Sequence, residues 1–147
     1  MGKLRTIALV YMMVLLAAAS LNYIPGLTDA EGRAFGVFAL DKFDDALHVA
    51  SALWAAYAAF TSSRAARTFL RYFGILYLTD GLLGLATGSG YLDLGIVNHG
   101  VLDLPFTFKV LANLPHIGGG ALAVFSSRPR TFFSCASATS SATSRSE

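Results

Sequence analysis

Apolar residues fall into four long blocks, 6–23, 43–60, 69–87 and 110–127, separated by shorter polar stretches. A helix that crosses a bilayer needs roughly 17–25 predominantly apolar residues, so each block predicts a spanning helix. The blocks at 6–23 and 69–87 are the clearest. The block at 43–60 is alanine-rich and contains His48 and Ser51. The block at 110–127 carries Asn113, Pro115 and His116 near its start, which weakens its outer turn and leaves a re-entrant segment as the alternative. Pro115 suits a first helical turn, where its missing N–H costs least. Beyond the last block, residues 131–147 are rich in Ser, Thr and Ala. Such a segment buries no core and is expected to be a disordered cytoplasmic tail.

The chain of 147 residues is long enough for one domain, here an all-α, four-span membrane domain over 1–130. Charged residues make up 14% of it, against about a quarter in soluble domains, and that deficit reinforces the bilayer reading. A net charge of +2 is too small to imply nucleic acid. The basic residues cluster at the ends of the blocks: Lys3 and Arg5 before the first, Arg64, Arg67 and Arg71 at the second junction, Arg128, Arg130 and Arg145 after the fourth. The remaining loops hold Arg33, Lys42 and Lys109, outnumbered by Asp29, Glu31, Asp41, Asp44, Asp45, Asp93 and Asp103. Lys and Arg near span ends favour the cytoplasmic side. Both termini are therefore expected in the cytoplasm, in a multi-pass protein of the plasma (inner) membrane. The single cysteine, Cys135, lies in the tail; it closes no internal disulfide and belongs to no zinc-type spacing.

The blocks repeat. Arg5-Thr6 aligns with Arg67-Thr68, and Gly26 then falls on Gly88 without a gap. Asp45-Ala46-Leu47-His48 aligns with Asn113-Leu114-Pro115-His116, and Ala-Leu follows in both, as Ala52-Leu53 and Ala121-Leu122. The pattern predicts two tandem helical hairpins forming a four-helix bundle. Each hairpin has an even number of spans, so this is a parallel internal repeat about an axis along the membrane normal. The first block also has the outline of a signal peptide, with a basic start, an apolar core and small residues Ala17, Ala18 and Ala19. Its match to the third block argues for a retained span.

Ile24-Pro25-Gly26-Leu27-Thr28, Phe35-Gly36-Val37-Phe38 and Asp44-Asp45-Ala46-Leu47-His48 together resemble a bacterial family of four-helix membrane proteins, domain of unknown function 4383. The likeness covers roughly 5–127. That family has an I-P-G turn after its first helix, then G-x-F, then H-N-x-x-H opening its second. Here the first His of the latter motif is Asp44 and the Asn is Asp45. The fourth-helix motif reads Ala112-Asn113-Leu114-Pro115-His116. The resemblance implies the architecture and no reaction.

His48 and His116 occupy equivalent places in the repeat, each with a polar residue three positions earlier, Asp45 and Asn113. Residues three apart share a helix face, and a carboxylate-x-x-His element is a ligand pattern of metal-binding bundles. His48, His116 and Asp45 are thus candidate metal ligands, with Asp44 or His99 to complete the set, and the two His also suggest haem ligation. The competing reading is that both His hydrogen-bond near helix ends, where polar contacts contribute about 0.6 kcal/mol each. Asp80, about eleven residues into the third block, is expected near the bilayer centre. A charge there costs at least about 2.5 kcal/mol. It should therefore face the bundle, bonded to Tyr57, Tyr77 or a carbonyl, or relay protons. A direct Asp80–His48 pair is not expected, because their depths would differ by about two turns.

Gly81, Gly84 and Gly88 give the third block a small-residue face, as Ser51, Ala55 and Ala59 do for the second. Such faces let helices approach closely, within one chain or between copies of a homo-oligomer. Gly118, Gly119 and Gly120 form either a close contact or a joint; they are no phosphate loop. No nucleophile–base–orienter set stands out, so an enzyme is not expected. The sequence reading is a structural or interaction protein whose partner is the lipid bilayer and which needs no cofactor. The alternatives are a metal- or haem-binding protein using the paired His, and an ion or proton pathway using Asp80 and the other intramembrane polar residue, Asn113.

Overall fold

The computed structural model describes residues 2–29, 34–36 and 42–129. The expected tail over 131–147, with Cys135, lies outside them. The described residues are helical apart from turns and one isolated bridge between Thr28 and Ala34. Helix α1 spans Lys3–Ser20 and runs into a 3₁₀ turn, Leu21–Tyr23; α2 spans Lys42–Thr61, α3 Ser63–Thr87, the short α4 Gly95–His99, and α5 Phe106–Ser127. Three segments, Lys3–Tyr23, Ser63–Thr87 and Phe106–Ser127, are long and apolar enough to cross a membrane. The 20-residue α2 matches them in length, but Lys42, Asp44 and Asp45 open it.

Two of the block boundaries shift. Helix α3 begins at Ser63 rather than at 69, because Ser62, in extended conformation, caps it: its Oγ accepts from Ala65 N–H at 3.1 Å. Arg64, Arg67 and Arg71 are therefore helical. Helix α5 begins at Phe106, after Pro105, rather than at 110, so Pro115 lies inside it and not in its first turn. There it deprives the Leu111 carbonyl of its usual helical donor. The Ile24-Pro25-Gly26-Leu27 turn closes with Leu27 N–H on Ile24 O at 3.3 Å and Gly26 at φ +87°, a position that favours glycine. Gly88 ends α3 in the same way, at φ +83°, and is a cap rather than part of the small-residue face.

Helix α1 packs chiefly on α2, and α3 chiefly on α5; α3 also touches α2 and α1. The first pair meets through small residues: Ala8, Ala52, Ala55 and Ala59 are all buried. At the basic end, Arg5 closes the pair, its guanidinium donating to Ala59 O at 2.5 Å and Phe60 O at 3.2 Å. A cation suits the negative end of the helix dipole. The second pair meets through glycine. A Cβ on Gly74 would stand 2.7 Å from Gly120 O, and one on Gly120 would stand 2.5 Å from Leu78 N, so the two backbones touch. Phe69 and Leu70 fill the centre. Large apolar side chains such as Val10, Met13, Leu53, Phe60, Leu82, Leu122 and Phe125 point outward, as expected of helices whose outer face meets lipid.

Candidate functional site

One face of α3 carries Phe69, Phe73, Tyr77, Asp80 and Gly84, all buried. These positions recur every three or four residues, the helical spacing. Asp80 is 4% exposed. It is tolerated because the chain after α3 folds back over it: the N–H groups of Tyr91 and Leu92 donate to Asp80 Oδ1 at 2.7 and 2.9 Å. Gly90 makes that approach feasible, since a Cβ there would stand 2.8 Å from Oδ1 and 2.9 Å from Oδ2. The Tyr91 hydroxyl pins the fold-back, donating to Leu76 O at 3.1 Å and lying 2.7 Å from Thr79 Oγ1. Leu102 N–H on Thr87 O, at 2.8 Å, holds its far side. Asp80 is therefore not at the centre of its helix. It lies two turns, about 10 Å, before the end at Thr87, and its partners are backbone donors rather than Tyr57 or a carbonyl.

The second carboxylate oxygen faces His116. Asp80 Oδ2 lies 3.9 Å from His116 Nδ1. The His116 ring stacks on His48, with centroids 6.5 Å apart and planes 22° apart. Tyr77 lies beside both, at 5.0 Å from His116 and 6.5 Å from His48. His48 of α2 and His116 of α5 thus converge, and Asp80 joins them through His116. His48 Nδ1 is 2.7 Å from Asp44 O. A carbonyl only accepts, so Nδ1 carries the hydrogen and, in the neutral ring, Nε2 is left as the acceptor. His116 Nδ1, the Tyr77 hydroxyl and the Ser89 hydroxyl are buried without a hydrogen bond of full geometry among the described residues, Ser51 being the polar neighbour of the Tyr77 hydroxyl. Groups of this kind are costly, and Tyr77 and His116 lie side by side.

The other candidates lie apart from the cluster. Asp45 accepts from Asn22 Nδ2 at 3.3 Å and from the Tyr23 hydroxyl at 3.1 Å, tying the end of α1 to the start of α2. Asn113 donates to Lys109 O at 2.8 Å, and its side chain fills the space that a Cβ on Gly84 would need. His99 is exposed on α4. Among the described residues, no three His, Cys, Asp or Glu side chains come together as a metal-holding group. The fold-back and Gly90 escaped sequence reasoning, whose only trace is Gly88-Ser89-Gly90 after an apolar block.

Toward the basic end the cluster is closed by rings. Phe73 lies 4.1 Å from Tyr77 and 5.0 Å from Phe69, with Tyr11 5.4 Å from Phe73 and Trp54 5.2 Å from Phe69. Toward the other end His116 keeps 23% of its side-chain surface exposed. The arrangement can hold and exchange a proton between an imidazole and a fixed carboxylate. The chain is thus an all-helical protein with three helices able to cross a membrane and a one-sided polar cluster between α2, α3 and α5. No family model, no curated protein and no solved structure matches it.

Proposed function

We propose that the protein is a non-enzymatic, multi-pass membrane component with four spanning helices, in which the His48–Tyr77–Asp80–His116 cluster takes up a proton and thereby sets the state of the bundle for an interaction. The observation that carries this is the buried, unbonded His116 Nδ1, 3.9 Å from a carboxylate that two backbone N–H groups hold in place. A proton on His116 turns that gap into an ion pair; without it, the nitrogen stays unpartnered. His116 is faced by Asp80 and Tyr77 from α3 and by His48 from α2, with Asp93 of the fold-back as the further carboxylate in electrostatic reach. A proton held at the cluster is favoured over a continuous proton path, because the rings of Phe69, Phe73 and Tyr77 pack together on its side toward the basic end.

The proposal includes α2 as the fourth span, the basic end in the cytoplasm of a bacterial inner membrane, and the tandem duplication shared with domain of unknown function 4383. The duplication is supported by equivalent contacts. Asn22 meets Asp45 in the first hairpin. At the aligned positions of the second, Gly84 meets Asn113. The aligned Gly26 and Gly88 have φ of +87° and +83°.

The test is ring-¹⁵N NMR of the three His of the full chain in lipid bilayers, with Asp80→Asn and His116→Gln alongside. Expected is a protonation step at His116 that Asp80→Asn moves. A His116 resonance that stays constant with pH, or a step that Asp80→Asn leaves in place, would overturn the reading. A stoichiometric metal or haem in the purified protein, lost in the His48→Ala/His116→Ala double variant, would replace it with a cofactor site.

A further inference from the structure

The start of α1, the first turns of α3 and the last turn of α5 leave a cavity of about 760 Å³ at the basic end, lined chiefly by Lys3, Leu4, Ile7, Arg67, Phe125 and Arg128. That volume lies in the range of about 300–1,000 Å³ of small-ligand sites. Lys3 of α1, Arg67 of α3 and Arg128, just after α5, put three cations on its wall, and no lining residue is acidic. The two helix pairs differ at this end. In the first, Arg5 donates to Ala59 O and Phe60 O and closes the gap between α1 and α2. Its aligned counterpart Arg67 makes no hydrogen bond or ion pair among the described residues and lines the gap instead. Arg128 stays at the rim, its guanidinium 5.8 Å above the Phe125 ring.

The wall has two characters. Lys3, Arg67 and Arg128 offer charge, while Leu4, Ile7 and Phe125 offer an apolar surface continuous with the outside of the helices. A free inorganic anion would use only the first; a phosphate joined to acyl chains uses both. Basic pockets between spanning helices near a cytoplasmic surface suit anionic headgroups. We propose that this cleft binds one anionic glycerophospholipid, its phosphate on Lys3, Arg67 and Arg128 and an acyl chain along Leu4, Ile7 and Phe125. The proposal rests on the spanning arrangement alone and is independent of the polar cluster.

The experiment is native mass spectrometry of the full chain in detergent, titrated with phosphatidylglycerol, with phosphatidylcholine, and with inorganic phosphate. Expected is retention of one phosphatidylglycerol in preference to phosphatidylcholine. Each cation near the surface contributes roughly fivefold, so Lys3→Gln/Arg67→Gln/Arg128→Gln should lower phosphatidylglycerol affinity by roughly a hundredfold. The single Arg67→Gln should lower it roughly fivefold. All three side chains are exposed, so the fold should survive. Arg64→Gln, at the same end but outside the cleft, should change nothing. Equal retention of the two lipids, a preference that survives the triple variant, or an equal loss in Arg64→Gln would overturn the proposal. Inorganic phosphate binding as tightly as the lipid would overturn it too, leaving a simple anion site.

Discussion

Replacing Gly120 with alanine tests the contact on which the second helix pair depends. The new Cβ would lie 2.5 Å from Leu78 N, 2.8 Å from Gly74 O and 2.9 Å from Leu78 Cα. All three are backbone atoms, so no side-chain rotation relieves them. Helix α5 must move away from α3, and a gap of about 0.5–1 Å already forfeits a quarter to a half of each dispersion contact. Overpacking of this kind costs about 1–3 kcal/mol. Alanine returns up to about 1 kcal/mol as a better helix former. The net expectation is a loss of about 0–2 kcal/mol, which is about 1–3 kcal/mol below a helix position where alanine meets nothing. Gly118 is the internal control: it is in the same helix, two residues away, with nothing within 4 Å of its added Cβ. Gly118→Ala should therefore be neutral or stabilising by up to about 1 kcal/mol. The assay is SDS-driven unfolding in mixed micelles, followed by far-UV circular dichroism. A Gly120→Ala protein as stable as Gly118→Ala would refute the backbone contact.

Three further predictions use the same assay. Asp80→Ala removes the acceptor of the Tyr91 and Leu92 N–H groups and should cost about 1–3 kcal/mol, whereas Asp80→Asn keeps one carbonyl oxygen and should cost less; equal losses would mean the fold-back is not held by these bonds. Gly90→Ala should destabilise by a similar amount through the 2.8 Å clash with Asp80 Oδ1, and most of that loss should vanish in an Asp80→Ala background; additive losses would contradict the contact. Tyr11→Phe deletes the 2.6 Å bond to Gly119 O and should cost about 0.6 kcal/mol, at most about 1.7; a larger loss would point to packing rather than the hydroxyl.

The apolar blocks located the long helices because burial and hydropathy both follow the chain at that length. Their ends were less legible. Residues 63–68 and 106–109 are polar or mixed, yet the Ser62 cap and the Pro105 start carry the helices through them. That shift changes the register of Asp80: counted from 69 it falls near the middle of the apolar block, whereas in the helix from Ser63 it lies two turns before the end at Thr87. The pairing of His48 with His116 was legible from their matching contexts, Asp45-Ala46-Leu47-His48 and Asn113-Leu114-Pro115-His116. Its third and fourth members were not. A fold-back held by two backbone N–H groups has no periodicity, and Gly90 is one glycine among 14. The glycines themselves divided in use: Gly74, Gly81, Gly84 and Gly120 bring α3 and α5 together, Gly88 ends α3, and an added Cβ on Gly118 or Gly119 would meet nothing.

With the sequence around Arg5 set against that around Arg67, Leu15, buried in α1, stands opposite Tyr77, and Ala18 opposite Asp80. Helix α1 is therefore apolar where α3 carries a hydroxyl and a carboxylate. A helix kept only for packing would have no use for a buried carboxylate that needs its own loop to hold it. Tyr77→Leu removes the buried hydroxyl and leaves the Asp80 bonds to the fold-back in place. A Tyr77→Leu protein more stable than the wild type would mean that the hydroxyl is maintained at a cost to folding, as groups that serve a change of state are. A less stable one would make Tyr77 an ordinary packing contact of the aromatic stack.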